Sequence, residues 1–548
     1  MSGTSHSPAA APSLFLPKLV TVLREGYNRT ELRADALAGL TVAIVALPLS
    51  MAIAIASGVG PERGLFTAIV GGFLVSALGG SRFQIGGPAG AFIVLVSACV
   101  AVTGGEGLCL ATLLSGVMLV VVGVLRLGTY IRYIPYPVTV GFTAGIAVII
   151  FASQIKDLLG LTLAGPEPGE LVAKLEALWA ARGSVTPAAV GVSFATVALI
   201  EGLKRGAPKL PGMLIAVGAM SIAAALGLPV ETIGSRFGEL PRILPAPALP
   251  TLGWPQIQAA LPWAFSFTLL GAIESLLSAV VADGMTGRQH RSNAELVAQG
   301  FANIGSGLFG GFCVTGTIAR TATNVRAGSH GPVSGVLHAL FLLVFMMVAA
   351  PLAAFIPLAA LAGVLAVVAW NMAEKHELWA LVRGSRADAA VVLVTFLLVI
   401  FRDLTEGIVV GFALAGLVFV KRMSDTAGVQ PQEQAPLDGA RGDLIVYRMT
   451  GAFFFGAAAQ LGTVLDRIAD RPRAMVVDCA AVPLIDSSGA RTLDMLARKV
   501  ARRGGRLWFT GTSSGVRRVL VAQGLREPAV HYLPDVASVE ALLESEGD

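Results

Sequence analysis

The chain has 548 residues, 55% hydrophobic and 14% charged, with a mean hydropathy of +0.74, which excludes a soluble globular protein and requires a polytopic membrane protein. A net charge of +5 calls for no nucleic acid, because lysines and arginines in cytoplasmic loops account for it. Four cysteines, Cys99, Cys109, Cys313 and Cys479, lack metal-ligand spacing and read as small buried hydrophobes.

Residues 1–34 form a cytoplasmic N-terminal segment with no apolar core followed by a cleavage site, so no signal peptide is expected. A transport domain, 35–422, follows, its apolar segments close to the ~20 residues that cross ~30 Å of hydrocarbon. They fall at 36–57, 62–79, 88–102, 107–126, 134–157, 185–203 and 211–227. A second set falls at 261–283, 294–310, 317–326, 332–355, 357–371, 387–401 and 405–421. The expected fold class is a polytopic α-helical membrane protein with fourteen transmembrane segments in a seven-plus-seven inverted repeat, about 35–228 and 260–422.

Loops facing the cytoplasm carry excess Lys and Arg. With the N-terminus inside, the inner loops receive Arg82, Arg126, Arg132, Lys204, Arg205, Lys209, Arg288, Arg291, Arg326, Lys375, Arg383, Arg386, Lys421 and Arg422. Fourteen spans with both termini inside satisfy the rule.

The third segment opens on FQIGGPAGAFIV, Phe83 to Val94. Gly86, Gly87 and Pro88 break it, so an extended stretch followed by a helix start near Pro88 is expected. A helix start within hydrocarbon leaves N–H groups unpaired, which is tolerated only where they line a cavity or meet a ligand, and the natural ligand is an anion. Aligning Phe83 with Phe312 sets Ile85 opposite Val314, Gly87 opposite Gly316 and Pro88 opposite Thr317. Such self-similarity, about 230 residues apart, is what duplicated transporter halves leave. Seven spans per half invert the second half, so two half-helices of roughly 15 Å meet head to head at mid-membrane. Each positive dipole end favours an anion by ~0.3–1 kcal/mol when exposed and up to ~2 when partly buried.

Glu274 lies well inside the span from Leu261 to Asp283, where a carboxylate marks a coupling or proton site; Ser278, one turn on, is its expected hydrogen-bond partner. Arg320, one turn into the second half-helix, supplies positive charge to the anion pathway, pairs with Glu274 or snorkels to the inner surface, and the sequence leaves these three readings open.

Residues 423–440 read as an exposed linker, and 441–548 as a small cytoplasmic α/β domain. Its strands are expected at Leu444–Met449, Phe453–Phe455, Met475–Cys479 and Leu507–Thr510, with helices from Ala457, after Ser488 and twice more. Asp486 and the serines after it stand where a helix cap belongs, with a regulatory or phosphorylation role for Ser487 or Ser488 as the alternative.

These residues resemble the SulP family, solute carrier family 26, along nearly the whole chain. The marks are Leu47-Pro48, GVGPERGLF at Gly58 to Phe66, GGSRFQIGGPAGA at Gly79 to Ala91, SNAELVAQGFANIGSGLFGG at Ser292 to Gly311 and TGTIARTATN at Thr315 to Asn324. VVDCAAVPLIDSSG at Val476 to Gly489 is similar to a STAS domain. The resemblance implies a core and a gate subdomain, an elevator-like movement, a homodimer in the cell (inner) membrane, and small anions as substrates: sulfate, bicarbonate, chloride, iodide, oxalate or dicarboxylates. It places the anion between Pro88, Ala89 and Gly90 and Thr317, Ile318 and Ala319, with Leu49 and Ile53 contributing from the first span and Glu274 at the family's acidic position. Ala89 and Leu49 depart from the bulky aromatic and polar amide of some members, which makes halide-type binding less assured. No cofactor is implied; a glutamate at 274 favours a coupling proton over sodium.

Three functions follow as expectations: a proton-coupled symporter, an electroneutral exchanger or uncoupled anion pathway, and a non-transporting membrane sensor whose STAS domain binds a cytoplasmic partner. A nucleobase carrier shares the architecture but is not expected to end in a STAS domain. The scattered histidines and the lack of a nucleophile-base-acid set argue against an enzyme.

Overall fold

The computed structural model describes residues 15–131, 135–165, 167–207, 210–402, 404–431, 444–454 and 474–545. Arg132, Lys209, Phe455, the helix expected from Ala457 and linker residues 432–440 lie outside the described residues. The chain divides into two compact units, Met1–Phe412 and Ala413–Asp548.

The membrane unit opens with α1 (Lys18–Glu25) and α2 (Arg29–Ala56). Asn28 and Glu31 form a capping box at the start of α2, which fixes that start ahead of the apolar run. One span is made of α3 (Pro61–Phe66), a π-helical turn (Thr67–Gly71) and α4 (Gly72–Leu78). After β1 (Gly86–Gly87) and a 3-10 turn (Gly90–Phe92) comes α5 (Ile93–Val124). The expected spans 88–102 and 107–126 are joined in α5 by Gly104, whose φ of 70° suits glycine and breaks the helical path between them.

The first half continues with α6 (Gly128–Ile131), α7 (Tyr136–Leu159), α8 (Leu171–Ala180), α9 (Pro187–Gly206), α10 (Gly212–Ala225) and α11 (Ile233–Phe237). The second holds α12 (Trp254–Thr286), α13 (Ser292–Leu308), β2 (Thr315–Gly316), α14 (Ile318–Arg326), α15 (Val333–Ala353), α16 (Leu358–Met372), α17 (Lys375–Gly384), α18 (Arg386–Phe401) and α19 (Leu404–Asp425). Each expected span coincides with helix, whereas α1, α6, α8, α11 and α17 are short helices in stretches the sequence left as loops. Among the described residues eight helices are long and apolar enough to cross a membrane by themselves. The other spans are interrupted by the π turn, begin at mid-membrane or are shorter.

Two bundles form. In one, α2, α4, α5 and α12–α15 pack around β1 and β2; in the other, α7, α9, α10, α16 and α18 pack together. Lipid tails are as apolar as leucine, so close backbone approach rather than water exclusion drives helix packing here. A Cβ on Gly116 of α5 lies 2.7 Å from the Gly300 carbonyl oxygen of α13, and one on Gly300 lies 2.6 Å from that of Gly116.

The C-terminal unit holds β3 (Gly428–Pro431), β4 (Leu444–Thr450), β5 (Ala474–Ala481), β6 (Arg506–Thr510) and β7 (His531–Leu533) in that sheet order. β3 is antiparallel to β4 and the rest are parallel. Residues 428–431, read from sequence as linker, thus form an edge strand; Gln and Pro disguise it, and its pairing with β4 makes it a strand. Helices α20 (Ser487–Arg502), α21 (Ser514–Ala522) and α22 (Val536–Ser545) complete the described part. Met475, Val477, Leu493, Phe509 and Leu520 share one core. Burial, with the nearby Asp478 charge, pushes the Cys479 thiol up to about 12, in keeping with an inert buried hydrophobe.

Candidate functional site

The centre of the membrane unit is a two-residue antiparallel pair, Gly86 with Gly316 and Gly87 with Thr315. Gly86 aligns with Thr315 and Gly87 with Gly316, so each residue pairs with the repeat mate of its neighbour. That register is what a two-fold relation between inverted halves requires. Thr317 N–H and Thr317 Oγ1 both donate to the Ile85 carbonyl, at 3.0 and 3.3 Å, and Ile85 N–H donates to Thr321 Oγ1 at 3.1 Å. The two extended segments therefore hold both helix starts at one level.

Each start lies slightly later than the sequence reading placed it. Pro88 is not the first helical residue: Ala89 is extended at φ −114°, ψ 147°, and the 3-10 turn begins at Gly90. The Pro88 carbonyl is occupied by Arg320, which holds it in the extended run. Thr317 likewise is an N-cap residue, with α14 starting at Ile318. Neither start carries a side-chain cap, so their leading N–H groups remain available to a ligand. Pro88, Ala89 and Thr317 are buried, Gly90, Ile318 and Thr323 half-buried and Ala319 exposed. Protein therefore leaves the α14 face at Ala319 uncovered. A Cβ on Gly90 meets Ile150 of α7 at 3.2 Å and Met372 of α16 at 3.9 Å, so this turn abuts the second bundle. Leu49 and Ile53 share an apolar cluster with Ala89 and Phe92.

Beside the crossing, α12 turns one face to the strands. Thr315 Oγ1 donates to the Gly271 carbonyl at 3.2 Å, and Gln84 Nε2 donates to Ser275 Oγ at 3.0 Å and to its carbonyl at 3.1 Å. Glu274 lies on this face, buried, with no cation in ion-pair distance among the described residues. Ser278, expected to partner Glu274, turns instead to Thr321 Oγ1 at 3.0 Å, because its short side chain meets the adjacent α14 hydroxyl.

Arg320 corrects two of its three sequence readings. It is 2% exposed, so it does not snorkel, and it makes no ion pair with Glu274. Its Nη2 donates to Ser50 Oγ and to the Pro88 carbonyl, both at 3.2 Å, so a fixed positive charge from the second half reaches the helix start of the first. A Cβ on Gly87 lies 2.1 Å from Nη1; only glycine leaves room for this guanidinium. Ser50, Gln84, Thr321 and Asn324 were not singled out from sequence. The available signal was a polar side chain within an apolar span.

In the C-terminal unit Asp486 is the helix N-cap, its carboxylate accepting from Gly489 N–H at 2.8 Å. Ser487 and Ser488 are exposed beside it.

Residues 32–395 match the sulfate permease family and residues 437–536 match the STAS domain. YvdB of Bacillus subtilis (strain 168) is 38% identical over 512 residues, covering 91% of this chain and 95% of the relative. The bicarbonate transporter BicA of Picosynechococcus is 30% identical over 520 residues, covering 89% and 90%. The fold matches that of the murine solute carrier 26 family member A9, an anion transporter solved in the inward-facing state, with a TM-score of 0.85 at 18% identity over 100% of this chain and 97% of that one.

Proposed function

The chain belongs to the sulfate permease family, whose members are anion transporters and not enzymes, and from that premise we propose a proton-coupled symporter of a small oxyanion or carboxylate, of the sulfate, bicarbonate or dicarboxylate class. The observation that carries this reading is the convergence of two uncapped helix starts on one crossing, with Arg320 behind it and an ion-pair-free Glu274 beside it. The N–H groups of Gly90, Ala91, Ile318 and Ala319 bind the anion and Arg320 supplies a full positive charge. With Glu274 protonated the site is net positive and holds the anion. Loss of that proton to the inner side places a carboxylate beside the anion and favours release. The bundle carrying the site moves against the bundle of α7, α9, α10, α16 and α18, sliding at the seam where Gly90 meets Ile150 and Met372. The protein works as a homodimer in the cell membrane with both ends in the cytoplasm, and its STAS domain answers to a cytoplasmic partner, with Ser487 and Ser488 accessible to modification.

The test is uptake by purified protein in liposomes containing a trapped pH dye, with sulfate, bicarbonate, chloride, succinate and fumarate offered in turn. Accumulation of one anion with acidification of the lumen is the expected result. Equilibration without proton movement replaces the symporter with an exchanger or uncoupled pathway; absence of all movement favours the sensor.

A further inference from the structure

Around Arg320 lies a group of polar atoms that no group among the described residues satisfies. His338 of α15 is fully buried and neither ring nitrogen has a hydrogen-bond partner. Ser76 Oγ of α4, Asn324 Oδ1 and the Nε and Nη1 of Arg320 are buried and equally unpartnered. His338 and Ser76 lie at the same α4–α15 contact. A Cβ on Gly335 lies 2.1 Å from Ser76 Oγ, and one on Gly72, a turn before Ser76, lies 3.0 Å from the Gly86 carbonyl oxygen and 3.8 Å from His338 Cε1. A Cβ on Gly87 points to Arg320 Nη1 at 2.1 Å and to Ala68 of the π turn at 3.8 Å, so Nη1 is on the side facing the α3–α4 span that His338 also touches.

Among the described residues no carboxylate hydrogen-bonds to the group. Between Asp35 and the end of α2 there is no charged residue, the π turn and α4 carry none, and Asp35 is committed to Tyr27 Oη, His330 N–H and Gly331 N–H. A buried donor or acceptor left unmatched is costly, and polar cavities relieve this by holding water that hydrogen-bonds to it. A neutral imidazole offers one donor and one acceptor.

Building on the role assigned above to Arg320, we propose that ordered water lies among these atoms, bound to the ring nitrogens of His338 and to Ser76 Oγ, and completes the hydrogen bonding of Arg320. His338 is then a positioning residue for the anion site. It touches no anion; through water it holds the guanidinium that does.

The water is tested on the unaltered protein by X-ray hydroxyl-radical labelling with mass spectrometry, since radicals form from water in contact with a residue. Modification of His338, with Phe92 and Phe267 unmodified as equally buried apolar controls, is expected; His338 as inert as the phenylalanines overturns the proposal. The positioning role is tested with the best-transported anion of the panel. His338→Leu is expected to raise the half-saturation concentration about tenfold with little change in maximal rate, while His338→Gln, which still offers a donor and an acceptor, stays near the parent. An unchanged His338→Leu, or equal losses in both variants, overturns it. Should His338→Leu fail to fold, Ser76→Ala against Ser76→Thr gives the same contrast. If the unaltered protein moves no anion, the function above falls, and the labelling still decides on the water.

Discussion

At the scale of single residues the proposed site rests on two ionisable groups that do not meet. Arg320 and Glu274 belong to adjacent elements, yet Arg320 is spent on Ser50 and Pro88 and Glu274 is left without a cation. Had they been paired, their charges would cancel and the site would have little attraction for an anion. Glu274→Gln is therefore expected to abolish dependence of uptake on the proton gradient while leaving anion counterflow intact; the dye-loaded liposomes read both, and persisting gradient dependence removes Glu274 from coupling. Arg320→Gln removes a charge-assisted interaction of ~1.5–3 kcal/mol, so binding is expected to weaken roughly tenfold or more, measured by calorimetry with the transported anion. Arg320→Lys rescues little, because the lysine side chain ends one bond short of the place from which Nη2 donates to both Ser50 Oγ and the Pro88 carbonyl.

Among elements, the two-residue strands matter more than their length suggests. They tie the halves together where both helices are broken, and glycine at 86, 87 and 316 keeps them free of side chains; a Cβ on Gly316 lies only 1.4 Å from Gln84 Nε2. The α5–α13 crossing is the second such place. Gly300→Val puts a branched side chain against the Gly116 carbonyl and Val120, where close approach is the packing force. Destabilisation by about 1–3 kcal/mol is expected from overpacking, read as a lowered midpoint in a thermal size-exclusion series; an unchanged midpoint means the helices are not held this closely.

For the whole membrane unit, orientation is the property most open to direct test. All four native cysteines are buried, so engineered ones report with little background. Trp179→Cys on α8 is expected to react only with an impermeant thiol reagent applied outside intact cells, and Lys204→Cys at the end of α9 only after access to the cytoplasm. Both positions are exposed. Reversal of the two patterns inverts the proposed topology and with it the direction of proton release from Glu274.

Much of this was legible in the chain. Hydropathy and the periodic recurrence of apolar stretches located the spans, because hydrocarbon leaves a backbone few alternatives to helix. Glycine and proline at 86–88 disclosed the break, and the match of Phe83 with Phe312 disclosed its partner. Glu274 stood out because charge inside hydrocarbon is rare. Tertiary structure alone decided which polar groups meet. It turned Ser278 to Thr321 and Arg320 to Pro88 across 232 residues, gathered His338 with Ser76, and made a strand of residues 428–431. Sequence spacing governs contacts within one helix, whereas contacts between helices follow from side-chain reach across interfaces that only the packed fold defines.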